Sequence, residues 1–228
     1  MTMVRLFAIA IFAGLAAGIA PARAQDTAPT YIVSYIEVAP SSARAAASVL
    51  RTLRAASRKH AGNRSFEVLQ RVGQPQQFAI LEAWSDAKAQ ANHATAADTV
   101  QLREKLKPYL AAPVDERAHT GFVVGRSRLH GPGSVYVLTH VDFIGAKKDE
   151  GLAALKQLSS DSGKDAGMVR YDVLQQSSRP NHLTLVEVWR RKAALEAHEV
   201  ATHTRKFREA ILPMSGALYD QRLFQLIN

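Results

Sequence analysis

One pattern is written twice along this chain, at a fixed spacing. Glu82, Trp84 and His93 in "ILEAWSDAKAQANHAT" return as Glu187, Trp189 and His198 in "LVEVWRRKAALEAHEV". Laying residues 30–117 over 135–222 needs no gap and gives 23 identities over 88 positions, against roughly one in fifteen expected from ordinary composition. The matches include Tyr31/Tyr136, Gly62/Gly167, Val68/Val173, Pro75/Pro180, Pro108/Pro213 and Asp115/Asp220. The chain is therefore a duplicated domain. Whatever one copy folds into, the other must fold into as well.

Each copy reads in the same order of elements. "YIVSYIEV" is an extended, β-rich run, and "SSARAAASVLRTLRAASRKH" is a helix opening on a serine cap. "SFEVLQRV" and "QFAILEAW" flank "GQPQ" as a hairpin. Asp86 is expected to cap one long helix running to Lys107 and ended by Pro108, before a last strand around "ERAHTGFVV". The second copy repeats this with "YVLTHVDF", "LAALKQL", "RYDVLQ", "HLTLVEVW", a helix near Lys192–Leu212, and "LYDQRLFQLI". The order β-α-β-β-α-β is ferredoxin-like, an α+β class. Helices cover one face of such a sheet, so the two copies are expected to pair their bare faces as an intramolecular dimeric α+β barrel. The expected domains are 30–126 and 134–228, joined by a Gly-Pro-Gly linker at 127–133.

The first 24 residues read differently. A positive start, the apolar run from Leu6 to Ala20 and the small-residue exit Ala22-x-Ala24 have the order of a secretory signal peptide. The mature protein is then expected to be periplasmic or secreted, without stable membrane insertion. It contains no cysteine, which excludes disulfides, thiolate nucleophiles and cysteine-held metals. The chain is basic, at +9. Its densest cluster, Arg44, Arg51, Arg54, Arg58 and Lys59, falls on one helix as a solvated face. No aromatic-rich nucleic-acid motif accompanies it, and no nucleic-acid partner is expected.

Strand alternation sorts candidate site residues. Ile32, Ile36 and Val38, with Val137, Val141 and Phe143, should meet the helices. Tyr31, Val33, Tyr35 and Glu37, with Tyr136, Leu138, His140 and Asp142, should face the barrel interior, where an apolar cavity would suit a small aromatic molecule. His93 and His198 sit in the second helix beside small residues, and a near-neutral imidazole can take a phenol proton. The indoles of Trp84 and Trp189 could donate to a ligand oxygen. "HEVATH" misses the His-Glu-x-x-His metalloprotease spacing by one residue. On one continuous helix His198 and His203 would stand about 140° apart, so no metal site is expected.

"LVEVWRRKAALEAHEVATHTRKFREAI" resembles the second-helix signature of antibiotic biosynthesis monooxygenase domains: Glu-x-Trp, then Ala-His, then an aromatic. Glu187, Trp189, His198 and Phe207 match; the first copy matches at Glu82, Trp84 and His93 but has Leu102 for the aromatic. The resemblance implies cofactor-independent oxygenation of a quinol or related phenol, with dioxygen as co-substrate and neither metal nor flavin. It makes His198 and His140 the catalytic candidates and Trp189, Tyr136, Glu187, Tyr35, Trp84 and His93 the substrate-binding ones. The fuller signature would place most of the activity in the second copy. The alternatives are a non-catalytic barrel that binds a small aromatic and a haem-binding or haem-degrading protein. The haem branch relies on an Asn of the first strand, and the interior-facing positions of that strand hold none. A homodimer of the whole chain is a further expected possibility.

Overall fold

The structure, a computed structural model, describes residues 27–125, 131 and 133–227. The expected signal peptide and most of the 127–133 junction lie outside them. In the first repeat β1 (Thr30–Glu37) leads to α1 (Ala43–Ser57), and β2 (Asn63–Arg71) and β3 (Gln77–Trp84) form the hairpin. Then come α2 (Ala87–Thr95), α3 (Ala97–Leu106) and β4 (Asp115–Val123). The second repeat follows with β5 (Val135–Asp142), α4 (Lys148–Ser162), β6 (Met168–Gln176) and β7 (His182–Trp189). It closes with α5 (Lys192–Glu199), α6 (Thr202–Ile211) and β8 (Asp220–Leu226).

Each repeat makes an antiparallel sheet with its first strand between its third and fourth. The two sheets then join edge to edge. β2 pairs β8 (Leu69 opposite Leu226), and β4 pairs β6 (His119 opposite Gln176), closing one barrel β1-β3-β2-β8-β5-β7-β6-β4. Closure removes the edges that an open sheet would present. It also buries the interior row: Val33, Tyr136, Leu138 and Phe224 are each at most 1 % exposed. Burying a side chain of that kind is worth about 1.5–3 kcal/mol, which neither sheet gains alone. The α+β barrel expected from the duplication is the observed fold. Among the described residues no helix is long and apolar enough to cross a membrane.

The outer row meets the helices as expected. Ile36, Val38, Phe66, Phe78 and Ile80 pack against α1 and α3, and Val137, Val141, Phe143, Val173 and Leu185 pack against α4 and α6.

Three expectations need correction. The long helix after each hairpin is two helices: Ala96 (ψ 138°) and Ala201 (ψ 148°) are extended and start a second helix in a new direction. Alanine is the strongest helix former, so local sequence hides the break. Ser42 does not cap α1 with its side chain; the chain enters through a 3-10 turn over Pro40–Ser42. The barrel interior is a packed core of Val33, Leu69, Ala79, Leu81, Tyr136, Leu138, Val169, Leu174, Val186, Val188 and Phe224. A space of 50 Å³ lies beside Glu67, Arg170 and Asp172, too small for an aromatic ligand.

Candidate active site

A roomier space than the barrel interior lies on the other side of the first sheet, where the helices cover it. A cavity of 310 Å³ opens between β1, β2 and β3 on one side and α1 and α3 on the other. Ile36, Leu53, Phe66, Ile80 and Leu106 make it apolar; Glu82, His93 and Arg103 make it chemical. Pockets for small molecules begin at about this size.

Glu82 lies on the helix-facing row, opposite Ile32 and Phe66 in the ladders. It is 3 % exposed and accepts a hydrogen bond from Trp84 Nε1 at 2.8 Å. That indole is therefore committed to Glu82 and not offered to a ligand. Burial pushes the Glu82 carboxyl up to about 7, although the Trp84 bond acts to lower it. The His93 ring stacks on Trp84, centroids 4.5 Å apart, and its Nε2 lies 3.7 Å from Glu82 Oε2. That Nε2 makes no hydrogen bond among the described residues. Burial holds His93 down at about 4, so the ring is neutral at working pH and a weaker base than the near-neutral imidazole expected from the sequence.

The tautomer follows from the partners. His60 Nε2 lies 3.1 Å from Asp98 Oδ2 and His60 Nδ1 lies 2.9 Å from His93 Nδ1. A carboxylate only accepts, so His60 Nε2 carries a proton; with His60 neutral, its Nδ1 accepts from His93 Nδ1. His93 Nε2 is then left as an acceptor with no hydrogen bond among the described residues, on a ring that lines the cavity. Gly62 makes the approach possible. Its φ is +79°, and a Cβ there would lie 2.5 Å from Ala89 Cβ, so the turn that carries His60 can close on α2.

The second repeat builds the same wall and fills the space. Glu187 accepts from Trp189 Nε1 at 3.0 Å and is pushed up to about 7 by burial. His198 packs on Trp189 at 4.6 Å, with its Nε2 3.8 Å from Glu187 Oε2. Tyr219 stands where the first repeat has Val114, a cavity residue. Its ring lies 5.8 Å from the Arg208 guanidinium, and burial together with the Glu187 carboxylate pushes its phenol up to about 12. The open cavity is thus in the first repeat, the opposite half from the one favoured by the fuller signature.

A further correction concerns His198 and His203. Because α5 ends at Glu199 and α6 starts at Thr202, His203 lies in the first turn of α6 and comes back toward His198. Both imidazoles reach Asp165 Oδ2, His198 Nδ1 at 2.7 Å and His203 Nε2 at 3.1 Å. The 140° argument held only for a continuous helix.

The remaining candidates lie elsewhere. Tyr136 is fully buried in the barrel and its hydroxyl donates to Glu67 Oε1 at 2.9 Å. Tyr35 and His140 meet at one barrel end, ring centroids 5.2 Å apart, with Arg117 and Arg222 over the Tyr35 ring at 5.4 and 5.6 Å. Burial, then Arg117, holds His140 down at about 4. Neither joins the Glu–Trp–His walls.

His60, Asp98, Arg103, Asp165 and Tyr219 were missed by the sequence reading. Arg103 repeats as Arg208 and was visible at the repeat spacing. His60 and Asp98 become Asp165 and His203, an exchange that a count of identities conceals.

Two ferredoxin-like sheets closed into one barrel, each with a buried Glu–Trp–His wall under its helices, define a tandem dimeric α+β barrel. The antibiotic biosynthesis monooxygenase family model matches residues 29–105 and again 134–210. The chain belongs to that family. Among curated proteins, none matches it. Among solved structures, a candidate monooxygenase from Fusobacterium nucleatum superposes with a TM-score of 0.81 at 13 % identity, over 89 % of this chain and 94 % of its own. A candidate monooxygenase from Lactobacillus acidophilus gives 0.73 at 14 %, over 87 % and 94 %. An anthrone oxidase-like protein gives 0.68 at 12 %, over 90 % and 93 %. At such identities the likeness is one of fold.

Proposed function

We propose that this chain is an exported monooxygenase of a quinol or related phenol, with its substrate in the first-repeat cavity. One observation carries the reading: His93, a buried imidazole whose Nε2 makes no hydrogen bond among the described residues, lines an apolar cavity of 310 Å³. The second repeat supports it, since the matching place beside Glu187 and Arg208 holds the chain's own phenol, Tyr219.

The chemistry follows from the substrate. Dioxygen reacts slowly with ordinary organic molecules, but a phenolate can reduce it directly. His93 Nε2 takes the phenol proton and can hand its Nδ1 proton to His60, which hands one on to Asp98 at the surface. The ring then gives electrons to dioxygen and forms a carbon–oxygen bond. The peroxide takes up a proton. As its O–O bond breaks, the ring carbon loses its hydrogen, one oxygen stays as a carbonyl and the other leaves as water. A hydroquinone and dioxygen thus become a hydroxyquinone and water. Arg103, at the cavity wall and 3.1 Å from Glu116, supplies positive charge beside the anionic intermediates. Export rests on the signal-like sequence of the first 24 residues.

The test is oxygen uptake by the mature chain with a panel of hydroquinones and anthrones. His93→Ala should lower the rate at least about tenfold, the low end of general-base catalysis, with circular dichroism unchanged. Binding of these compounds without uptake would replace the proposal with a non-catalytic aromatic-binding barrel. A Soret band on haemin titration without quinol turnover would replace it with haem handling.

A further inference from the structure

The three positions that form the relay in the first repeat are occupied in the second by the same residue types in exchanged order. His60, His93 and Asp98 correspond to Asp165, His198 and His203. Each half holds two histidines and one aspartate, but the middle member differs, and this changes what the set can do. An imidazole in the middle uses its two nitrogens on opposite sides, so His60 links His93 and Asp98 in a line. A carboxylate in the middle lets both neighbours converge on one oxygen. Three donor atoms, one each from Asp165, His198 and His203, then lie within 4.8 Å of one another.

We propose that Asp165, His198 and His203 bind a divalent first-row transition ion, of which Zn²⁺ is the simplest case. Two imidazoles and one carboxylate are a donor set that suits such ions and leaves coordination positions open. The spacing fits: with bonds of about 2.0–2.2 Å, donors around a tetrahedral ion stand about 3.3 Å apart. Here the two nitrogens already stand 2.7 and 3.1 Å from Asp165 Oδ2, so small side-chain rotations admit an ion between them.

The surroundings fit as well. A metal-bound imidazole commonly offers its other N–H to a carboxylate; His198 binds through Nδ1, and its Nε2 faces Glu187 Oε2 at 3.8 Å. His198 is buried, whereas Asp165 and His203 are about one-fifth exposed and line a groove of 590 Å³ between α4 and α6. An ion held there has protein on one side and an open position on the other. Lys164 and Lys206 line the same groove, so a water or small anion would complete the coordination. The site stands apart from the first-repeat cavity and does not depend on the quinol reading.

The experiment uses the full mature chain, without an affinity tag, stripped by chelator and titrated with Co²⁺ and then Zn²⁺. One equivalent of Co²⁺ should bind with visible absorption, and Zn²⁺ should displace it. Asp165→Ala and His203→Gln should each weaken binding at least about tenfold; the glutamine keeps a polar group but offers no imidazole. Asp98→Ala, at the matching position of the first repeat, should leave one equivalent bound. Circular dichroism of each variant checks the fold. Absence of stoichiometric binding at about 100 µM metal, or unchanged affinity in both second-repeat variants with folds intact, would overturn the proposal.

Discussion

His119 is nearly wholly buried, and its two ring nitrogens lie 2.9 Å from the Arg117 carbonyl and 3.1 Å from Thr184 Oγ1. Burial holds it at about 4, as it does His93 and His140. The unfolded chain protonates each of these imidazoles near 6.5 and the folded one only near 4. Between those values protons favour the unfolded chain, so the thermal midpoint should fall as pH drops from 6.5 to 4. Glu82 and Glu187 act the other way. Their carboxyls rise from 4.5 to about 7 on folding, so their contribution is whole below 4.5 and lost as pH rises through 7. Melting curves of His119→Gln against the parent isolate the imidazole part: the variant should lose less stability between pH 6.5 and 4. Equal slopes would refute the assignment. Tyr219→Val makes a second residue-scale test. It should open a matching cavity beside Glu187, cost about 2–4 kcal/mol of stability, and let a second equivalent of a hydroquinone analogue bind by calorimetry.

At the scale of elements, a turn pressed onto a helix positions each histidine wall. Gly62 (φ +79°) and Gly167 (φ +87°) have neighbours, Ala89 Cβ and Ala194 Cβ, 2.5 and 2.6 Å from where a Cβ would stand. Gly73 shares the positive φ, +78°, but has nothing within 4 Å. Gly62→Ala therefore combines backbone strain with overpacking and should cost at least about 2 kcal/mol in urea unfolding. Gly73→Ala carries the backbone strain alone, about 1 kcal/mol. Equal costs would show that the turn–helix contact is loose. The helix starts differ too. Asp86 caps α2 by accepting from Ala89 N at 2.8 Å, whereas Arg191 at the start of α5 makes no side-chain cap. Asp86→Ala should therefore lower the urea midpoint, whereas Arg191→Ala should leave it unchanged.

For the whole molecule, the decisive contacts are the two joints, β2 with β8 and β4 with β6. A fragment of residues 134–228 keeps its four-stranded sheet but bares two edges and the interior face of Tyr136, Leu138, Val186, Val188 and Phe224. It should self-associate or unfold, measured by light scattering and chemical denaturation. A stable monomer with the parent's stability would show that the halves do not need each other.

The duplication, the order of strands and helices apart from the broken second helix, and the two faces of β1 and β5 were legible in the sequence, because each rests on short-range periodicity and on a repeat spacing that residue identities reveal. Glu82, Trp84 and His93 were legible as a recurring set for the same reason. Where that set would face an opening was not. The cavity exists because Val114 in one half and Tyr219 in the other meet the sheet from the segments just before β4 and β8, far along the chain from β3 and β7, and a difference in side-chain size decides which half has room. The helix breaks at Ala96 and Ala201 oppose local propensity, and they bring Asp98 and His203 back beside residues 60 and 165. Only the packed chain sets those distances. The same three positions therefore make a line of hydrogen bonds in one repeat and a convergent donor set in the other, since an imidazole bonds from two opposed sides and a carboxylate oxygen can take two partners at once.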